Sequence, residues 1–169
     1  MRRVLGWLRR PVLEIARRGQ PRYLTRWTLA PRRWLAGFAA VMLHLFHRGD
    51  LEPYDHDHPW GFVTVILAGG YWEVTERGRV WYGPGSVLFR PARWRHRVSL
   101  PEGKTCWTLV VAFRKVRRWG FVCPGRGWIH WREHEANEAA GLTGCGEEGG
   151  PALGAAAHLL ERGPGGAQA

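Results

Sequence analysis

The stretch Asp55-His56-Asp57-His58-Pro59-Trp60-Gly61-Phe62 gathers two histidines, two aspartates, a proline and two aromatics into one short segment. A single residue separates His56 from His58, so on an extended backbone both imidazoles leave the same face and can reach one cation. Pro59 fixes its own φ and biases His58 toward an extended conformation, which stiffens the pair. Asp55 and Asp57 are candidates to accept the second ring N–H of a ligand histidine, although alternation points them away from the histidine face. Further along, GPGSVLFRPARWRHRV places Gly85 ahead of an apolar strand, Pro91 after it, and His96 at the start of the next strand. That turns the local pair into a two-segment constellation.

These two phrases resemble the motifs of the cupin superfamily. The first motif reads glycine, five residues, HxH, three or four residues, glutamate, six residues, glycine; His56, His58 and Gly69 fall at its spacing. The second reads glycine, five residues, PxG, two residues, histidine, three residues, asparagine; Gly85, Pro91 and His96 fall at that spacing. The departures are specific. Gly49 stands one residue too far from His56, Arg93 replaces the second motif's inner glycine, Leu100 its asparagine, and Phe62 occupies the place of the glutamate ligand. The resemblance, over residues 49 to 100, implies a jelly-roll barrel with a three-histidine site, closer in style to thiol dioxygenases than to germins or isomerases. The same phrases are similar to small cupin-like proteins often carried by prophages.

The implied metal is a divalent transition ion, with Fe(II) favoured and Mn, Ni, Co or Zn also compatible, because affinity order alone does not select among them. Glu73 is the candidate replacement carboxylate, sharing a strand face with Tyr71 and Thr75. Trp60, Phe62, Trp94, Cys106 and Thr108 are expected to line the pocket. His44 and His47 lie three apart on one strand and face opposite sides. His130 and His134 have the i, i+4 spacing of zinc helices, but HWREH lacks the glutamate of HExxH, and the pair reads as coincidence. Arg90, Arg95 and Arg97 surround the third histidine, where an inward arginine would select a carboxylate or phosphate. GPGS lacks the P-loop lysine, and no Ser-His-Asp arrangement stands out.

The elements that must position these residues are strands. Between residues 21 and 135, short runs rich in Val, Trp, Tyr, Phe and Thr are punctuated by Gly and Pro, the all-β pattern. Ten are expected: Tyr23–Leu29, Phe38–His47, Phe62–Ala68, Tyr71–Glu76, Arg79–Tyr82, Ser86–Arg90, His96–Leu100, Thr105–Phe113, Trp119–Val122 and Trp128–Trp131. Glu76-Arg77-Gly78 and Glu102-Gly103-Lys104 are the tight-turn candidates. Residues 1–20 read as a basic, weakly helical extension, and residues 136–169, rich in Gly and Ala, as a disordered tail.

With 169 residues and 45% apolar content the chain supports one core. Its net charge of +11 is concentrated at the front: residues 1 to 34 hold ten arginines against Glu14 alone. Such an arm reads first as a solvated arginine surface, and alternatively as one that attracts nucleic acid, anionic lipid or an acidic partner by long-range electrostatics. Three cysteines without a CxxC pair suggest no disulfide framework, and a reducing, cytoplasmic setting is expected. The longest apolar run, Leu35 to Phe46, is too short to span a membrane.

The reading that follows is a metal-binding cupin acting on a small molecule, in the manner of a dioxygenase if it is catalytic, and by resemblance a homodimer. Its rivals are a non-catalytic cupin that binds or senses a small ligand, and a basic nucleic-acid-associated protein.

Overall fold

The computed structural model describes residues 22–50 and 52–147, together with the backbone of a strand at 13–15. Strand β1 spans Leu13–Ile15, β2 Leu24–Ala30, β3 Ala39–Phe46, β4 Phe62–Ala68, β5 Tyr71–Thr75 and β6 Gly78–Tyr82. These are followed by β7 at Val87–Arg90, β8 at Arg97–Ser99, β9 at Cys106–Phe113, β10 at Gly120–Cys123 and β11 at Gly127–His130. A short 3-10 turn, Arg32–Leu35, joins β2 to β3, and helix α1, Trp131–Ala139, follows β11. Every pairing is antiparallel. One sheet runs β1-β2-β3-β9-β4-β7, a second β6-β5-β8, and β10-β11 forms a hairpin. The architecture is the all-β jelly roll.

Alternation along the strands builds the interior. On β9, Cys106, Thr108, Val110 and Ala112 are buried while their neighbours are half-buried. Register then sets His44 and Ile66 on either side of Thr108, and Met42 and Thr64 on either side of Val110. One face of β3, β9 and β4 is therefore a continuous inner wall. Against it, on the second sheet, Tyr71 and Glu73 of β5 are buried, with Val98 of β8 directly opposite Glu73. A further cluster of Phe121, Cys123, Ile129 and Cys145 packs with Tyr54, Trp119 and Trp131.

Two glycines at the motif positions have direct physical reasons. Gly69, at φ +74, leaves β4 so close to Thr105 that a Cβ would lie 2.1 Å from its carbonyl oxygen. Gly85, at φ +86, makes the left-handed turn into β7 that a side chain would resist.

The ten expected strands are present, with bounds that shift by a residue or so at an end. Gly78 and Gly103 take positive φ in the two expected turns. Three expectations are corrected. Where a weak helix was expected, residues 13–15 form a strand paired with β2, Leu13 opposite Arg26; Pro11 and the β-branched Val12 and Ile15 suit extended backbone. Helix α1 was not expected after the barrel, and residues 136–147 continue the described structure beyond position 135. The third correction is a disulfide between Cys123 and Cys145, whose Cα atoms are 5.5 Å apart, leaving Cys106 as the buried free thiol among the described residues. The remaining parts of the expected extension and tail lie outside the described residues. No helix among those described is long and apolar enough to cross a membrane.

On the outer face, Phe38, Phe113 and Phe89 form a chain of rings, with centroids 5.9 and 6.4 Å apart in turn. Phe38 and Phe89 are exposed, as is Val87, two residues before Phe89 on the edge strand β7.

Candidate metal centre

The segment carrying His56 and His58 is stitched in as a short extra strand. His56 exchanges both backbone hydrogen bonds with His96, at 2.9 and 3.0 Å. On its other side Val122 N–H donates to Asp55 and Asp57 N–H to Gly120, while His58 N–H donates to Ala92. The loop before β8 and the start of β10 thus clamp the segment from both sides. The three imidazoles form a near-equilateral triangle with ring centroids 5.1, 5.2 and 5.1 Å apart. One nitrogen from each ring can be chosen so that all lie within 4.8 Å of one another. His58 Nε2 and His96 Nε2 are 2.8 Å apart, close to the roughly 3 Å that two nitrogens keep when both sit about 2.1 Å from one ion.

Glu73 is placed otherwise than expected. Its Oε1 lies 2.7 Å from Nδ1 of His96, on the far side of the ring from Nε2. The same carboxylate accepts from Arg90 Nε at 2.8 Å, from Arg90 Nη2, and from Trp94 Nε1 at 3.2 Å. It therefore orients His96 from outside the triangle instead of joining it. Burial works against ionisation of Glu73, but hydrogen bonds from His96 and Arg90 outweigh it and hold its pKa down to about 2. An ionised carboxylate only accepts, so Nδ1 of His96 carries a proton and its Nε2 is the nitrogen turned to the site. Desolvation by burial lowers the pKa of His56 to about 4, and it lowers His58 well below the usual histidine value with help from the neighbouring histidines. Both rings are neutral near pH 7, as metal ligation demands.

The aspartates are also redistributed. Asp57 is buried away from the rings, accepting from Gly120 N–H and Trp128 Nε1 at 2.9 and 3.0 Å and pairing with Arg117; it anchors β10. Asp55 pairs with Arg97 at 3.5 Å. The carboxylate on the outer side of His56 is Asp50, 3.9 Å from Nδ1, itself held by Val98 N–H. Nothing local marks Asp50 in the sequence except Gly49, where a Cβ would meet Val98 O at 2.8 Å.

The triangle opens into a cavity of about 500 Å³ inside the barrel, whose wall includes Trp60, Phe62 and Thr108. Phe62 packs edge-on against His58 at 4.8 Å, where the motif's glutamate would stand. Thr108 Oγ1 is buried without a hydrogen-bond partner among the described residues. Two expected wall residues lie elsewhere. Cys106 is fully buried in the packed core, its thiol pushed up to about 11 by burial. Trp94 faces an outer cleft with Arg93, Arg95 and Trp128, because its indole N–H is turned to Glu73.

Of the remaining candidates, His44 points inward and accepts a hydrogen bond from Arg26 Nε at 2.9 Å, while His47 meets Thr25 at 2.8 Å. Burial, then Arg26, brings His44 to about 3. Arg90 does not enter the cavity; its guanidinium lies over Trp94 and Tyr82 while binding Glu73. His130 and His134 do not share a site: His130 caps α1, accepting from Arg132 N–H, and His134 is buried against Phe121.

The fold that carries this triangle is the cupin barrel. Among solved structures, the polyketide cyclase RemF from Streptomyces resistomycificus matches with a TM-score of 0.53 and 22% identity, over 67% of this chain and 78% of that one. A predicted oxalate decarboxylase from Thermotoga maritima matches at 0.48 and 16%, over 60% and 90% of the two chains. A cupin-superfamily sugar phosphate isomerase from Silicibacter pomeroyi matches at 0.47 and 16%, over 58% and 64%. No protein-family profile and no curated protein matches the sequence.

Proposed function

We propose that His56, His58 and His96 hold a divalent transition metal, Fe(II) by preference, and that the protein is a small-molecule oxygenase working inside the barrel. The observation that carries this reading is the convergence of three imidazoles on the wall of an aromatic cavity, with His96 presented by an ionised Glu73. A bound ion would supply Lewis acidity and positions for a substrate and dioxygen.

The chain's own residues set the conditions for that chemistry. Glu73 keeps the proton on Nδ1 of His96, and Arg90 keeps Glu73 ionised. Phe62 fills the place of a fourth protein donor with an apolar ring, so the protein offers three donors and leaves the cavity side to the substrate. Trp60 and Phe62 exclude water from that side, while Arg26 sets a positive charge and Thr108 a free hydroxyl in the wall. This arrangement suits a small, partly polar substrate.

Metal analysis of the full chain, purified anaerobically without chelator, tests the reading. The native protein is expected to hold one more metal equivalent than the His56→Ala/His96→Ala double variant. Glu73→Gln should bind that equivalent about 10–100-fold more weakly, as loss of a ligand-orienting partner does elsewhere. Oxygen uptake over a panel of small substrates should then follow the occupied triad. Equal metal content in native and double variant, after reconstitution with Fe(II), Mn(II) and Zn(II), overturns the proposal.

A further inference from the structure

Helix α1 brings together a second set of donors beside Phe121, whose ring also neighbours His56. His134 and Glu138 lie one helical turn apart, and Glu52 approaches from the segment that leads into His56. One ligand atom from each of the three lies within 4.8 Å of the others. His134 is fully buried, its ring stacked on Phe121 at 3.8 Å, and Gly144 presses so close that a Cβ there would fall 1.9 Å from Nε2. Neither ring nitrogen has a hydrogen-bond partner among the described residues. A polar ring taken wholly out of water ordinarily finds such a partner.

The spacing suggests what the partner is. His134 Nε2 lies 3.5 Å from Glu52 Oε2, and Nδ1 lies 3.8 Å from Glu138 Oε1. Both separations exceed a hydrogen bond. Two donors at about 2.1 Å from a shared ion stand roughly 3.0–3.4 Å apart, so the His134 Nε2–Glu52 separation is near the ligated distance; an ion takes one ring nitrogen only, and the 3.8 Å from Nδ1 to Glu138 is not a separation between two ligands of that ion. Glu52 and Glu138 each engage further groups, as carboxylate ligands commonly do.

We infer that Glu52, His134 and Glu138 form a second divalent-metal site, of the Zn(II) or Mn(II) type, which ties α1 to the segment carrying the first ligand histidine. One imidazole with two carboxylates favours these ions over Mg(II) or Ca(II), which prefer all-oxygen shells. The complete burial of His134, packed against Phe121 and Gly144, makes this a structural site.

Zinc titration by equilibrium dialysis into the metal-stripped full chain and its His56→Ala/His58→Ala/His96→Ala variant tests this. The triple variant should retain one tight equivalent, and adding Glu138→Gln should weaken it at least about tenfold. Should the triple variant fold poorly, Glu138→Gln in the otherwise native chain should remove one equivalent while leaving the equivalent that requires His56. A triple variant that folds, binds no zinc and melts at the same temperature with or without it overturns the inference, as does unchanged native stoichiometry in Glu138→Gln. One equivalent in both the native and the triple-variant chains would uphold this site and sink the triad reading. One in the native chain and none in the triple variant would do the reverse.

Discussion

Protonation is the change that the barrel's histidines are least able to accept. His44 and His56 titrate near 3 and 4 and His58 is also lowered, in each case chiefly because burial penalises the charged ring. The unfolded chain takes up these protons near the ordinary histidine value of 6.5, so it binds more protons than the folded state throughout the interval below. The apoprotein should therefore lose stability as pH falls from about 6.5 toward 3, by up to about 1.4 kcal/mol per pH unit for each fully neutral ring. Glu73 adds to the loss below about 4.5, since its folded pKa is about 2. Denaturant midpoints of metal-stripped protein from pH 7 to 4 check this, and His44→Gln should flatten the slope by one group; a flat profile would contradict it. The approach of His56 and His58 was legible because HxH sets two rings on one face by local geometry alone, whereas His96 was reached through the resemblance to the second motif. Glu73's contact with His96 was not legible, because it depends on the register that sets β5 against β8.

At the level of elements, alternation made the strands readable: Thr108, Val110 and Ala112 mark the inner face of β9 without reference to anything distant. Helix α1 has no comparable signal, since Trp131–Ala139 buries His134 and otherwise presents mainly polar or small residues. The disulfide was equally hidden, as its two cysteines are 22 residues apart in a chain with an odd number of them. What the bond does is clearer. It closes the loop holding β11 and α1, assisted by Arg126 and Asn137, which donate to the carbonyls of Cys145 and Gly144. Cys145→Ser should lower stability by about 3 kcal/mol on loop-closure grounds, read as a shift in denaturant midpoint; an unchanged midpoint would show that the loop needs no covalent closure. Such a bond persists in oxidising surroundings and opens in a reducing cytoplasm, so the compartment decides how firmly α1 is held.

Across the whole molecule, two features oppose each other. The chain carries a net charge of +11, which drives copies apart. The ring chain from Phe38 through Phe113 to Phe89 gives the same molecule an apolar band that reaches β7, an edge strand among the described residues. Charge repulsion is screened within about 10 Å at 0.1 M salt, whereas apolar attraction is not. The balance is therefore colloidal and set by ionic strength: the protein should sediment as smaller species in dilute buffer and associate as salt is raised. Phe89→Asp should abolish that response, and association that instead weakens with salt would show charged contacts in control.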